Sequence, residues 1–385
     1  MVFRIINPVP ISTSDGLGVN RDIPQDIILR RLKETPLQEN ELDRFDRHTI
    51  FNDIIWSECA KKFLFVAPPL LNLASHVFPI RLIIEDSTKE AKLLDVSITA
   101  STPVCTLMES EIYVGDPERD RIRISFANGS TIIPIKKVTN QNTAKNIVLS
   151  TMQKDCDPIW LMDWIYYHYK HGIKNFCIYD NGSQNRDQII ASLSVFDDAN
   201  IDWIDWPFPY GIFRAENLAF AQSCQINHSM LMNRGSDWLL NLDIDEYLKF
   251  SPGKNIGEII ANFKPEHGRV EIMNYMAPIF KDNQQKVFRA KDFKSYYEID
   301  GGKKNIFRPQ SARIARIHRV DLNKGYTVYS GEDSNLKIFH FRGVGRNWKT
   351  EDHNFPGKRL TIDRVSKYDL IEDDYVQRFF KDSPH

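Results

Sequence analysis

From about residue 145 onward, short apolar runs alternate with amphipathic segments. Apolar runs at 146–152, 175–179, 201–206 and 238–242 read as strands. Between them, apolar residues recur at helical spacing in 158–171, 188–196 and 215–233. Strands that alternate with helices predict an α/β fold, with a mostly parallel sheet flanked by helices on both faces.

The pattern before residue 140 is different. Runs at 81–84, 94–98, 121–126 and 131–135 are separated by turn residues and predict a small antiparallel β unit. Residues 1–50 read as an extended lead-in with one short helix, and 52–62 as an amphipathic helix. We therefore predict a β-rich accessory region at 1–140, an α/β domain at 141–345 and a helical tail at 346–385.

Two aspartates one residue apart end the apolar run that begins at Trp238. Side chains at i and i+2 of an extended segment point the same way, so Asp243 and Asp245 are predicted to face one point. Converging carboxylates repel unless a cation lies between them, and their oxygens favour Mg²⁺ or Mn²⁺. The alternative is an acidic loop after a core strand, which is common.

Other polar residues follow the neighbouring predicted strands. Ligands of parallel sheets bind beyond the carboxyl ends of the strands. The sequence therefore predicts a rim that carries both aspartates together with Lys154, Asp155, Asp157, Asp180 and Asn181.

Composition narrows the class of protein. A formal net charge of −1 over 385 residues argues against non-specific nucleic-acid binding. The five cysteines form no Cys-x-x-Cys pair, which is typical of reduced thiols in a cytoplasmic protein. The sequence has neither a run long enough to span a bilayer nor a signal-peptide pattern, so we expect a cytoplasmic protein. Peripheral attachment to a membrane stays open.

An ordered set of motifs resembles glycosyltransferase family 92 and the related family-2-like bacterial glycosyltransferases over about residues 145–345. The set comprises the motifs at 164–168 with Gly172, 179–183, 206–210, 222–228, 238–248, 304–309, His318 and 339–341. The resemblance implies a GT-A fold and inverting transfer from a nucleotide-sugar donor. It also implies a divalent cation at Asp243 and Asp245, with Asp180 and Asn181 against the base and ribose. The family's Lys-Asn-Glu after the first strand is replaced here by residues 154–157, which leaves the nucleotide contacts there open.

Further candidates complete the predicted site. His340 follows an apolar run and is a candidate third cation ligand; a half-buried structural histidine is the alternative. Lys304 or Arg308, within a cluster of cations, could neutralise the donor diphosphate. The resemblance also raises Gln222 and Asn227 as contacts to a sugar or ribose.

An inverting transfer needs a base that accepts the proton of the acceptor hydroxyl, normally a carboxylate. We expect this base among Glu332, Asp333 and Glu271, and the residues alone do not choose between them. The predicted function is a metal-dependent glycosyltransferase acting on a glycan, with a UDP-linked donor and a role in bacterial surface polysaccharide synthesis expected from the resemblance. Two alternatives stay open: a non-catalytic glycan- or nucleotide-binding protein on the same scaffold, and a sugar nucleotidyltransferase.

Overall fold

The computed structural model describes twelve segments of the chain. They are residues 2–15, 17–24, 43–85, 91–117, 120–133, 147–212, 218–250, 253–278, 289–292, 295–330, 336–345 and 370–381. The predicted domain boundary at 140–141 lies outside these residues, as do Glu332 and Asp333.

Half of the described residues before 134 are in β-strands. The strands are β1 (Val2–Ile6), β2 (Ile11–Ser12), β3 (Thr49–Phe51), β4 (Asp53–Ser57), β5 (Lys62–Ala67), β6 (Ile80–Glu85), β7 (Lys92–Ser101), β8 (Thr106–Ser110), β9 (Arg121–Phe126) and β10 (Gly129–Ile133), with a short helix α1 (Ala74–Val77). Seven of them form an antiparallel sheet in the order β10-β9-β6-β7-β8-β5-β4. The strand-rich character predicted for this region is what the structure has.

The predicted helix at 52–62 is wrong. That segment contains β4 and the start of β5, which pair antiparallel. The apolar residues of β4 do not follow a single helical face, because the strand is buried on both sides. Ile54 and Trp56 enter the core of the seven-stranded sheet itself, whereas Ile55 packs against the helix Phe220–Met232 and its neighbours.

From residue 147 onward the chain alternates strands and helices, then continues mainly in strands. The strands are β11 (Ile147–Gln153), β12 (Asn175–Asp180), β13 (Asn200–Asp205), β14 (Trp238–Asn241), β15 (Glu246–Lys249), β16 (His267–Pro278), β17 (Ser295–Phe307), β18 (Ala312–Arg316), β19 (Arg319–Leu322), β20 (Thr327–Tyr329), β21 (Lys337–Gly345) and β22 (Leu370–Glu372). The helices are α2 (Pro158–Lys170), α3 (Arg186–Ser192), α4 (Phe220–Met232), α5 (Ile256–Ile260) and α6 (Tyr375–Lys381).

The main sheet is mixed, which corrects the expectation of a mostly parallel one. Its order is β1-β13-β12-β11-β14-β17-β16-β21-β15, with β20 and β22 paired to β16 and β17. The first five strands are parallel, but β17 runs antiparallel to both β14 and β16, and β15 runs antiparallel to β21. The long strands after residue 267 therefore complete the sheet, and the residues that the structure describes between β16 and β21 contain no α-helix.

The first residues of the chain are part of this sheet. β1 pairs parallel to β13. Arg4 on β1 donates to the carboxylate of Asp202 on β13 through Nε, at 2.6 Å, and through Nη2, at 2.8 Å. The first residues of the expected extended lead-in, Val2–Ile6, therefore form an edge strand of the main sheet. Because its hydrogen bonds are made to a strand almost 200 positions away, the local hydrophobic pattern does not predict this strand.

The seven-stranded sheet packs against α4. In the layer between them, His228 Nε2 lies 2.8 Å from Asp53 Oδ2, and the other ring nitrogen lies 2.8 Å from the hydroxyl of Tyr179. All three side chains are buried. A buried polar group is costly unless it is hydrogen-bonded, so this chain of partners fixes β4, α4 and β12 relative to one another.

Of the predicted helical tail, the structure describes residues 370–381. β22 pairs with β17, and α6 buries Val376 and Phe380 in the main core.

Candidate active site at the carboxyl end of the parallel strands

Asp243 and Asp245 lie in a tight turn between β14 and β15. The backbone N–H of Glu246 donates to the carbonyl of Asp243 at 2.9 Å, as in a β-turn. The Glu246 carboxylate in turn accepts from the N–H of Asp243, also at 2.9 Å. The predicted extended geometry is thus wrong, since a turn and not the alternation of a strand aims the two aspartates.

Glu246 and Lys304 form a buried pair beneath this turn. Lys304 Nζ lies 2.9 Å from Glu246 Oε2 and 3.2 Å from Asp243 Oδ2, and both Lys304 and Glu246 have side chains only 1 % exposed. The second oxygen of Glu246 accepts from Asn274 Nδ2 at 2.9 Å. The ammonium therefore lies between two carboxylates, whereas the Asp243 side chain is 38 % exposed.

The charges of this cluster shift one another's pKa values. Burial by itself raises the pKa of Asp243, but attraction to Lys304, and more weakly to His340, outweighs it and lowers the pKa. Burial would lower the pKa of Lys304, yet Asp243 and Glu246 raise it well above its ordinary value. For Glu246 burial dominates and raises the pKa. Asp243 and Lys304 are therefore charged at neutral pH.

Asp245 faces His340. Strand pairing sets Glu246 directly opposite His340 on β21, and His340 Nε2 lies 3.2 Å from Asp245 Oδ2. His340 Nδ1 points toward Glu246 Oε1, at 3.9 Å. The register of β15 against β21 thus brings together residues almost 100 positions apart.

Helix α2 supports β15 from below. Trp164 Nε1 donates to the carbonyl of Glu246 at 2.9 Å, and the Tyr167 hydroxyl donates to the carbonyl of Leu248. The fully buried His168 accepts at Nε2 from the N–H of Leu248, and burial lowers its pKa to about 3. Three residues of one helix therefore hold the strand that follows the aspartate turn.

A second polar corner lies where β11 and β12 end. Gln153 and Asp180 are paired in register, and Gln153 Nε2 donates to Asp180 Oδ1 at 2.8 Å. The same oxygen accepts from the backbone N–H of Ser183 at 3.1 Å. Burial, only partly opposed by the hydrogen bonds from the side chain and backbone of Ser183, raises the pKa of Asp180. Asn181 donates to the carbonyls of Trp206 and Phe208, at 2.8 Å each, and so fixes the loop after β13.

The residues after β11 have local backbone roles. Asp157 is the N-cap of α2 and accepts from the N–H of Ile159 at 3.0 Å. Asp155 has φ 49° and accepts from the N–H of Gln184 at 2.7 Å. Lys154 follows β11 at the same edge and is exposed.

Of the two predicted helix contacts, Gln222 reaches the site and Asn227 does not. Gln222 Nε2 donates to Asp243 Oδ1 at 3.0 Å, and its Oε1 accepts from the Tyr210 hydroxyl at 2.8 Å. The fully buried Asn227 instead donates to the carbonyl of Ala315 and accepts from the N–H of the same residue. It joins α4 to β18.

Arg308 also lies away from the site. Because β17 runs antiparallel to β14, Phe307 pairs with Leu239, and Arg308 comes out at the opposite edge of the sheet. There its guanidinium stacks on Trp238, 4.2 Å from the ring centre. Glu271 on β16 is held by two cations, with Arg269 at 3.0 Å and Lys303 at 2.7 Å from its two oxygens.

The donor set suits a hard divalent cation that keeps some ligands from solvent or substrate. Two ligand atoms at about 2.1 Å from one octahedral ion lie about 3 Å apart, close to the Asp245–His340 separation of 3.2 Å. Asn274 Oδ1 is buried and has no hydrogen-bond partner within the described residues, which leaves an acceptor for water beside Glu246. The described part of the chain holds no group of three or more His, Cys, Asp or Glu residues arranged around one ion. The remaining ligands would therefore be water or phosphate oxygens, as is usual for Mg²⁺.

Comparison with known proteins identifies the family. The sequence model of glycosyltransferase family 92 matches residues 153–377, more than half of the chain. The chain belongs to glycosyltransferase family 92. The match covers α2, the aspartate turn, Lys304 and His340, so the geometry described above lies within the family domain.

Two curated family 92 proteins, both from plants, match part of the chain. A Ricinus communis protein is 25 % identical over 192 residues, which are 48 % of this chain and 33 % of the relative. An Oryza sativa subsp. japonica protein is 24 % identical over 211 residues, which are 52 % of this chain and 34 % of the relative. The chain thus spans about a third of the length of each.

Among solved structures, the apo form of WbbM, a bifunctional glycosyltransferase, aligns with a TM-score of 0.26 at 14 % identity, over 42 % of this chain and 28 % of that one. Within the part of this family 92 chain that the structure describes, no helix combines the length and the apolar character needed to cross a membrane.

Three side chains that make contacts at this candidate site were not among the residues proposed from the sequence. Gln153 and Ser183 brace Asp180, and Asn274 binds Glu246. Asn274 is a polar residue within the apolar run 272–276. A polar residue in such a run indicates a buried hydrogen bond, because buried polar groups are nearly always paired. Gln153 and Ser183 flank segments that were already part of the predicted rim.

Proposed function

We propose that this family 92 chain is a metal-dependent, inverting glycosyltransferase of the GT-A type, which moves a sugar from a UDP-linked donor to a hydroxyl of a glycan. The observation that carries the proposal is the Asp245–His340 pair beside Asp243, at the carboxyl end of parallel strands in a family 92 domain. Both matched relatives come from plants, so a bacterial polysaccharide as the product rests on the motif resemblance alone.

In the proposed reaction, Asp245 and His340 would hold Mg²⁺ or Mn²⁺, with Asp243 beside them. The cation would stabilise the charge on the departing diphosphate. The acceptor oxygen forms a bond to the anomeric carbon while the bond from that carbon to the diphosphate oxygen breaks. Attack from the opposite face inverts the configuration, and the acceptor proton passes to a base.

Individual residues differ in how well they suit the remaining roles. The Asp180 corner beside the aspartate turn suits the nucleoside, and Gln222 would orient Asp243 through its amide. Glu271 suits the base poorly because cations hold both of its oxygens. We therefore propose Glu332 or Asp333 as the base.

The first test is a thermal-shift screen of nucleoside diphosphates and nucleotide sugars, with and without Mn²⁺. A ligand that binds only the native state raises the melting temperature by mass action. At a ligand concentration of one hundred times Kd, the gain in the free energy of unfolding is about 2.7 kcal/mol. We expect a rise for one nucleoside diphosphate that requires the metal and is lost in Asp245→Ala. No rise with any nucleotide in Mn²⁺ or Mg²⁺ would favour the non-catalytic binding protein.

The stereochemical part needs its own test. Once a donor and an acceptor are known, proton NMR of the fresh product reports the anomeric configuration. An anomer opposite to that of the donor is expected, and retention would contradict the proposal.

A further inference from the structure

Lys304 is placed where a phosphate contact would be expected, yet it is closed off from solvent. Its strand, β17, extends past the end of β14, so Lys304 lies beside the start of the aspartate turn. The ammonium is bound to Asp243 Oδ2 and Glu246 Oε2, and the side chain is 1 % exposed. In this position the lysine meets carboxylates of the protein and not a ligand in the cleft.

Glu246 is the centre of the same arrangement. One oxygen accepts from Lys304 and from the backbone N–H of Asp243, both at 2.9 Å. The other accepts from Asn274 at 2.9 Å and lies 3.9 Å from His340 Nδ1. This one buried carboxylate therefore contacts the turn that carries the aspartates and faces the histidine that pairs with Asp245.

Two physical arguments give this arrangement a role beyond stability. Buried ion pairs are weak sources of stability, because burying both charges costs about as much as their attraction returns. Metal-binding histidines usually direct their second ring nitrogen toward a carboxylate, carbonyl or water that sets the orientation of the ring. Glu246 is the carboxylate on that side of His340, with Oε1 3.9 Å from Nδ1, which is beyond hydrogen-bond distance.

The charge balance points the same way. Three carboxyl groups, those of Asp243, Asp245 and Glu246, occupy four consecutive positions, and the Lys304 ammonium is bound to two of them, Asp243 and Glu246. Without Lys304 the carboxylates of the turn would repel one another and lose their fixed spacing.

We propose that Lys304 and Glu246 are positioning residues: a buried counter-ion pair that fixes Asp243 and His340 in the arrangement that binds the divalent cation. This inference rests on the proposed function. It assigns Lys304 an internal role in place of the phosphate contact that the sequence suggested.

The test is the charge-neutral double variant Lys304→Met/Glu246→Gln, which removes both members of the pair together. Such replacements are often tolerated by the fold, whereas removal of one partner leaves a buried charge. We expect the affinity for Mn²⁺, titrated by electron paramagnetic resonance, to fall about 10- to 100-fold. The circular-dichroism spectrum and the cooperativity of melting should stay as in the wild type.

A matched control removes another ion pair in the same domain. Asp163 and Arg289 form a bidentate pair on the α2 side of the sheet. In Asp163→Asn/Arg289→Met, the Mn²⁺ affinity should equal that of the wild type. If Lys304→Met/Glu246→Gln does not fold, Glu246→Gln alone replaces it in the titration with the same expected direction, because Lys304 then keeps Asp243 as its ion-pair partner.

The outcomes separate the two proposals. A folded variant with wild-type Mn²⁺ affinity would show that the pair only stabilises the fold, and would overturn this inference while leaving the proposed function intact. A wild-type protein that binds no Mn²⁺ would overturn the metal-dependent function and this inference with it. A loss confined to the Lys304–Glu246 variants would support both.

Discussion

The two halves of the main sheet contribute differently to the candidate site. In the parallel half, from β1 to β14, the four strands after residue 146 follow the alternation of strands and helices, and the polar corner comes from residues near strand ends. The half from β17 to β15 contributes Lys304, Asn274, His340 and Glu246 from inside strands. The comparison shows that successive strand–helix units form most of the parallel half of the sheet. The charged cluster, in contrast, depends on pairing between strands that are far apart in the sequence.

The largest loss of activity is expected for a substitution of Asp245, which faces His340 in the second half of the sheet. Asp245→Asn keeps the size of the side chain but removes the charge that would hold the cation. Because metal ions supply several kcal/mol of transition-state stabilisation, we expect kcat/KM to fall about 1,000-fold, or about 4 kcal/mol. Steady-state assays over a range of Mn²⁺ concentrations measure this loss.

An exposed acid serves as the control for that prediction. Asp198 pairs with Lys174 on the surface, so Asp198→Asn should retain the wild-type kcat/KM. Full cation-dependent activity in Asp245→Asn would refute the assignment of this residue to the metal.

Sequence alone predicted the parallel half well. The strands expected at 146–152, 175–179 and 201–206 are found at Ile147–Gln153, Asn175–Asp180 and Asn200–Asp205. These strands are short apolar runs bounded by turns, so the local sequence is enough to predict their type and length. The failures fall where tertiary contacts decide: β1 at the sheet edge, β4 buried on both faces, and the antiparallel pairing of β17 with β14 and β16.

For the candidate site, sequence predicted residue types better than their geometry. Asp243, Asp245, Gln222, Lys304 and His340 do come together. The positions of Asn227 and Arg308 could not be foreseen, because they depend on which helix face meets β18 and on the direction of β17. Helical spacing and charge clustering cannot specify either.

A smaller effect concerns the contact between α2 and β15. The pKa of His168 falls from 6.5 to about 3 on folding because the ring is buried. The unfolded chain therefore binds an extra proton between these values, so this contribution to stability is present above pH 6.5 and is lost as the pH falls toward 3. From pH 7 to pH 5 the loss from this residue is about 2 kcal/mol. Urea unfolding at both pH values measures it, and His168→Gln should flatten the dependence by that amount. An unchanged slope in the variant would show that other groups cause it.

The smallest effect tests whether Asp157, in the parallel half, is only a helix cap. Its carboxylate accepts from the N–H of Ile159 at the start of α2, so Asp157→Ala should lower the free energy of unfolding by about 1 kcal/mol. Asp157→Asn keeps a capping oxygen and should stay close to the wild type in urea unfolding. The asparagine variant also separates the cap seen in the structure from the donor contact predicted from the sequence, since it removes the charge but keeps the cap. Unchanged donor binding in Asp157→Asn would leave Asp157 as a cap alone, because a group that needs its charge for the donor would lose affinity there. A clear drop in donor affinity with normal stability would instead place the carboxylate in the nucleotide site, and the parallel half would then supply charge to the chemistry as well as the frame.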